Sequence, residues 1–376
     1  MIQVDFDVRQ LRELYQIDPN RLALAKDRQA AVWEGRQPDK WPITMNGHLT
    51  AAQEEIPAPD FPEAFHDREM MLCQQMRIAC ALANANSDTV PAIRANTGTA
   101  TLMACLGLEQ EVHPGQMPWL QEHMSVEEAK KLTVDDIKIQ GTFARALEFI
   151  DFFREIMDDR IDIFVPDTQG PFDLAHLLLG DEIYYLLYDD PDVMHHILDV
   201  CTELYIRTTR AAKKAIGEPL GSSTHSMRLC CPTAGVRVCE DTTTIIGRES
   251  IEAFAMPYTL RIAEEFEGAW IHYCGRCDAL RDLLCECDNV KGLNYGIVPG
   301  KEDDFDFEKE MDVLAGHGKV YYGNIPRKPA ESGEDYLRRI HGYSRSGCLI
   351  PIGDAAVGGE TGFQNVEQAL DFWYSL

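Results

Sequence analysis

Positive charge is scarce in this sequence: 35 lysines and arginines stand against 62 aspartates and glutamates, a formal net charge of −27. That balance argues against nucleic acid or an anionic membrane surface as the main partner. Long apolar runs are also missing, since no stretch approaches the roughly 20 residues needed to span a bilayer. The segment Met1–Asp7 is acidic and carries no basic region followed by an apolar core, so no secretory signal is expected and a cytoplasmic location is. No Gly-x-Gly-x-x-Gly follows a predicted strand and opens a helix, which argues against a dinucleotide fold. Internal repeats, low-complexity segments and a linker that would split the chain are absent as well. Cysteine, by contrast, is plentiful. The twelve are spread through a chain of 376 residues, several with core-like neighbours, as at Cys73, Cys80, Cys105 and Cys201. This is the distribution of thiols in a reducing compartment, where any special ones serve metal or catalysis.

Residues 1–40 show helical patterning and read as an N-terminal helical extension; residues 41–376 read as one domain. Short apolar runs ended by turn signals predict strands at 41–47, 89–94, 161–166, 235–239, 270–275, 290–295, 319–324 and 348–352. Helices are predicted between them over 69–85, 97–110, 125–158 with a break near 131–136, 172–179, 191–216 and 250–266, and last at 366–374. Pro191 suits the first turn of its helix, whereas Pro257 must kink or interrupt its own. Eight strands separated mostly by helices predict an α/β fold, a parallel (β/α)8 TIM barrel.

A barrel of this kind does its chemistry at the C-terminal ends of its strands. The most telling end is Trp270-Ile271-His272-Tyr273-Cys274-Gly275. Side chains two apart on a strand share a face, about 7 Å apart along the backbone. Imidazole and thiolate are ligands that zinc takes readily. The other ends present Asn46, Arg94, Asp167, Glu240 with Asp241, Asn294, Asn324 and Asp354. One histidine, one thiol and several carboxylates on one rim can hold a divalent metal with an open position. Each residue also has a structural role open to it: Asp167 as a helix cap, Asp354 in a Gly-Asp turn, Glu240 in an ion pair. Cys277, at CxxC spacing from Cys274, leaves a redox dithiol as a competing local reading.

Taken in order, Gly170-Pro171-Phe172-Asp173-Leu174-Ala175 with Asp190-Pro191, Glu240-Asp241 leading to Met256-Pro257-Tyr258, His272-Tyr273-Cys274-Gly275 and Asn365-Val366 resemble the uroporphyrinogen decarboxylase superfamily, and within it the zinc-dependent cobalamin methyltransferases. The resemblance runs from about Trp41 onward and implies a (β/α)8 barrel. The decarboxylase branch carries an arginine-rich segment after its first strand; here that stretch is Met45-Asn46-Gly47-His48, so porphyrinogen decarboxylation is not expected. The methyltransferase branch implies zinc held by His272, Cys274 and a third ligand near the C-terminus. Counting back from Asn365 favours Asp354, with Cys348 as the other candidate; six residues of strand span about 20 Å, so both cannot reach one metal. Glu240 or Asp241 would complete or orient the shell, Asp167 and Asn294 would line the pocket, and Asn46 and Arg94 would contact the cofactor. The activity implied is methyl transfer between methylcobalamin on a partner corrinoid protein and a small-molecule donor or acceptor. Two alternatives share the pocket: a metal-free lyase on a small acid with Arg94 as anion clamp, and a non-catalytic corrinoid or tetrapyrrole carrier.

Overall fold

The computed structural model describes residues 6–296 and 305–376. The reading of the N-terminus that rests on residues 1–5 lies outside the described residues. Strands occur at Ala92–Ile93 (β1), Gln110–Glu111 (β2), Trp119–Leu120 (β3), Asp162–Ile163 (β4), Ser223–His225 (β5), Leu229–Cys231 (β6), Val236–Cys239 (β7), Ala269–Tyr273 (β8), Val290–Tyr295 (β9), Val320–Asn324 (β10) and Leu349–Ile352 (β11).

The main sheet has the order β11-β10-β9-β8-β7, every pair parallel. Its two edges lead on to the remaining predicted strands. Thr44 bridges Ile352 beyond β11, and Gln169, downstream of β4, bridges Cys239 of β7. β4 pairs in parallel with β1. Parallel neighbours need crossover connections, and helices supply them here. The fold is therefore the expected α/β arrangement, with the first predicted strand reduced to the single bridge at Thr44.

Alternation along these strands separates two faces. Val236, Val238, Ile271, Tyr273, Leu293, Tyr295 and Tyr321 form the outer face, where the Tyr273 and Tyr295 rings stack at 5.1 Å. The Tyr295 hydroxyl donates to Glu310 at 2.7 Å, and Glu310 also accepts from Arg281, so this face packs on the helices Asp278–Cys285 and Phe307–Gly316. The inner face carries two rows set by the register: Arg237, Trp270 and Gly292, then Cys239, His272 and Asn294. Short apolar runs would give an apolar interior, yet the second row and Arg237 make it polar.

Pro191–Ile216 is one helix, closed by Gly217 in the left-handed region at φ 85°. Pro257 ends one helix and begins another, giving Arg248–Phe254 and Met256–Glu265. The helix expected over 97–110 is instead a 3-10 turn, Thr101–Leu106, followed by the antiparallel pair β2–β3. Gly98 and Gly107, both at positive φ, bound that turn, and the Gln110 amide ties it down by bonding Ala100 N–H and Thr97 O. A second antiparallel hairpin, β5–β6, was not expected from the sequence. It turns through Ser226 and Met227 at φ 55° and 60°, and the carbonyls of Arg228 and Met227 accept from Val90 and Ala92 N–H.

The N-terminal helix Pro19–Trp33 is built into the rest of the molecule. Gln29 is fully buried, donating to Asp88 O and Arg228 O and accepting from Cys230 N–H at 2.8 Å. Trp33 closes over Gly292 so tightly that a Cβ there would lie 2.8 Å from its ring.

Candidate metal centre

β7 and β8 run side by side, so their C-terminal ends deliver Cys239, Asp241, His272 and Cys274 to one place. One ligand atom each of Cys239, Asp241 and His272 lies within 4.8 Å of the others. His272 Nε2 is 3.8 Å from Asp241 Oδ1 and 3.7 Å from Cys274 Sγ. The Cys274 backbone N–H donates to Asp241 Oδ1 at 2.5 Å, which fixes the carboxylate against the turn after β8.

The tautomer of His272 follows from its other nitrogen. The Asn294 amide donates to Tyr322 O, which turns its Oδ1 toward His272 Nδ1 at 2.5 Å. Nδ1 therefore carries the proton and Nε2 presents its lone pair to the cluster, as a metal-ligating histidine requires. Burial, then the Arg237 charge, holds the imidazole below its ordinary pKa, so it is neutral at neutral pH. Burial, and next Asp241, pushes the Cys274 thiol up to about 11. Soft sulfur, imidazole nitrogen and carboxylate oxygen together fit zinc, and a thiol bound to it is deprotonated outright.

Asp241 is itself positioned. The carboxylate of buried Asp173 accepts from the N–H groups of Asp241 and Thr242 at 3.0 and 2.7 Å. Burial, then the Asp241 charge, raises Asp173 to about 7. Glu240 is separated from its neighbour: 1 % exposed, it accepts from the hydroxyls of Thr243 and Thr259 and is raised to about 8 by burial and then by Asp173. Gly170 lies so close that a Cβ would sit 2.5 Å from Glu240 Oε1, which accounts for the glycine of the Gly170–Ala175 motif.

The remaining predicted residues divide. Asp167 faces Arg94 at 3.4 Å and Arg237 at 3.5 Å on the inner face. Burial works against the Asp167 charge, but Arg94 and Arg237 outweigh it and hold the carboxyl below its usual range. Asp354 is taken up by Asn46, whose backbone and amide N–H groups donate to it at 2.7 and 2.5 Å, with Arg228 at 3.7 Å. Cys348 is 2 % exposed at the foot of β11, and its thiol points to Tyr343 O and Met311 O. Among the described residues the three-atom cluster includes neither Asp354 nor Cys348. Of the expected ligands only His272 belongs to that cluster; Cys239 and Asp241 complete it, and Cys274 lies beside it, 3.7 Å from His272 Nε2.

Cys239, Asp173 and Arg237 were given no site role from the sequence. Arg237 did leave a trace, a charge inside the apolar run Val236-Arg237-Val238-Cys239, and Asp173 lay within a quoted motif. Cys239 becomes visible only through the register that sets it beside His272.

Parallel strands wrapped by helices, with a metal-type donor set over their C-terminal ends, define the class of molecule: an α/β fold with its site at the strand ends. The family model described as Uroporphyrinogen decarboxylase (URO-D) matches residues 24–219, and the chain belongs to that family. It is 25 % identical over 253 residues to the Methylcobamide:CoM methyltransferase MtbA of Methanosarcina acetivorans, covering 64 % of this chain and 67 % of that one. A Uroporphyrinogen decarboxylase of Hydrogenovibrio crunogenus is 25 % identical over 156 residues, 39 % of this chain and 43 % of that protein. A solved structure, a methyltransferase from Methanosarcina mazei, shares the fold with a TM-score of 0.63 at 19 % identity, over 93 % of this chain and 98 % of that one.

Proposed function

We propose that this chain is a zinc-dependent methyltransferase that moves a methyl group between a partner corrinoid protein and a small-molecule donor or acceptor. The observation that carries the reading is the tautomer of His272: Asn294 leaves Nε2 free to ligate, beside Asp241 and two thiols. Similarity to a methylcobamide methyltransferase supports the direction of the chemistry. The absence of arginine from Met45 to His48 tells against the porphyrinogen alternative. A cytoplasmic setting accords with twelve free cysteines, and no described helix is long and apolar enough to cross a membrane.

His272 and Asp241 would hold the metal, with the Cys239 thiol below them and Cys274 at the exposed rim. Zinc bound there would lower the pKa of a thiol acceptor and so supply the nucleophile. The chain's own residues keep the donors aligned: Asn294 holds the proton at His272 Nδ1, and Asp173 holds the backbone of Asp241. Glu240 lies outside the donor set and braces the turn through the hydroxyls of Thr243 and Thr259.

The test is demethylation of free methylcobalamin by the zinc-loaded protein with a small thiol as acceptor, followed in the visible spectrum. Turnover that falls to the protein-free rate in His272→Ala is the expected result. Equal rates in wild type and variant would remove the proposal.

A further inference from the structure

The loops that follow β10 and β11 enclose an arginine that no other described residue engages. Arg327 stands three residues past the end of β10. One of its terminal nitrogens, Nη1, is buried without a hydrogen-bond partner, and among the described residues the side chain makes no ion pair. A buried guanidinium nitrogen left unpaired is both rare and costly, so the position calls for an acceptor from outside the fold. The residue as a whole is only partly buried, which leaves such an acceptor a way in.

The segment after β11 is shaped around this side chain. It closes on itself between Val357 and Phe363, where Gly358 N–H donates to Phe363 O and Phe363 N–H donates to Ala356 O, both at 2.9 Å. Thr361 ties it down: its carbonyl accepts from Gly333 N–H at 2.8 Å, and its hydroxyl donates to Glu331 O at 3.1 Å. Gly358 and Gly359 turn the chain at φ 84° and 68°. A Cβ at Gly359 would lie 3.1 Å from Arg327 Nη2 and one at Gly362 would lie 2.9 Å from Nη1, so the absence of side chains there is what admits the guanidinium. The N–H groups of Gly359 and Glu360 have no acceptor among the described residues. Free backbone N–H groups on a glycine turn, beside a guanidinium fork, suit a group that carries several oxygens.

The neighbouring charges are already matched. Lys328 pairs with Glu308 at 2.6 Å, Arg339 with Glu331 at 2.7 Å and Arg228 with Asp354 at 3.7 Å. Glu360 is exposed on the turn and makes no ion pair, so water and salt screen it, whereas Arg327 has a buried nitrogen to satisfy. β10 and β11 are the seventh and eighth of the strand regions predicted from the sequence, and in (β/α)8 barrels the loops after those two strands are a recurrent seat for phosphate. We infer that Arg327 and the turn from Gly358 to Gly362 bind the phosphoryl group of a small-molecule ligand at the rim of the molecule. β10 lies two strands from β8, about 10 Å at the usual strand spacing, so the seat is separate from the metal centre but opens at the same strand ends. It stands independently of the methyl-transfer reading.

The experiment uses the full chain stripped of metal, with methyl phosphate, dimethyl phosphate and uncharged trimethyl phosphate as probes. Affinity is read by calorimetry, and the Arg327 side chain by nitrogen-15 NMR of the guanidinium. The expected result is saturable binding of a charged ester with a shift of the Arg327 resonance, and neither with trimethyl phosphate. Tighter binding of methyl phosphate marks the ligand as a phosphomonoester; tighter binding of dimethyl phosphate marks it as a diester, such as the one in the nucleotide portion of a corrinoid. Arg327→Gln should weaken the preferred ester about tenfold or more, and Arg327→Lys, which keeps the charge, should weaken it less. Lys328→Gln, one residue along and already paired, should leave it within about twofold. No saturable binding up to tens of millimolar, full affinity in Arg327→Gln, or an equal loss in Lys328→Gln would overturn the seat. Metal is absent throughout, so the outcome does not depend on the metal centre.

Discussion

His272 owes its ligating form to a side chain that would touch no metal. Asn294 accepts from Nδ1 while its own amide is fixed on Tyr322 O, so one asparagine sets both ring orientation and proton position. Such outer contacts are commonly worth about 10- to 100-fold in metal affinity. Asn294→Ala should therefore bind zinc about 10- to 100-fold more weakly with every ligand intact, as measured by competition against a chelator. Unchanged affinity would mean that the tautomer is held by something else. At this scale the sequence was partly legible. His272 and Cys274 could be paired by strand alternation alone, because the period of two needs only local information. Asp241 emerged as a strand end. Its separation from Glu240 did not, because that depends on Thr243, Thr259 and Asp173, which meet it only in the fold. Cys348, the other candidate for the third ligand, precedes β11, at the end of the strand away from His272, as its place at the start of the predicted strand implied.

Elements with strong periodicity were read closely, and elements defined by backbone exceptions were not. The helix Pro191–Ile216 and the break at Pro257 follow from spacing and proline chemistry. The β5–β6 hairpin turns on Ser226-Met227, where the usual signal would be Asn-Gly or Asp-Gly, and so it left no trace in the sequence. Another element is held in part by an ion pair. The segment after β10 is fastened to the helix Gly333–Ser344 by Arg339, which donates to both oxygens of Glu331 at 2.7 Å and to Pro326 O at 3.0 Å. Burial raises the Glu331 pKa, but the hydrogen bonds from Arg339 prevail and the carboxyl lies below its usual range. A depressed carboxyl contributes stability that is present above its unfolded pKa and is lost as pH falls through the folded one. Glu331→Gln should accordingly cost about 1–3 kcal/mol near pH 7 and almost nothing near pH 2, by urea denaturation at each pH. An equal cost at both would assign the effect to packing.

Over the whole molecule, all eight strand regions predicted from the sequence contribute to the parallel core, because buried parallel strands announce themselves as short apolar runs. The segment before residue 41 was harder to place. Its helical patterning suggested an extension, and Gln29 and Trp33 bury themselves against β6 and Gly292. A sequence shows that a helix is amphipathic, not which surface receives its buried face.

Methyl transfer by this chain would depend on metal at the ends of β7 and β8. Its most direct test is zinc content, measured on protein purified without added metal or chelator, beside His272→Ala, Asp241→Ala, Asp354→Ala and Cys348→Ala. The expected result is about one zinc per chain in the wild type, lost in the first two variants and kept in the last two. Loss in Cys348→Ala or Asp354→Ala with retention in Asp241→Ala, or a wild-type chain that takes up no zinc when it is supplied, would contradict it.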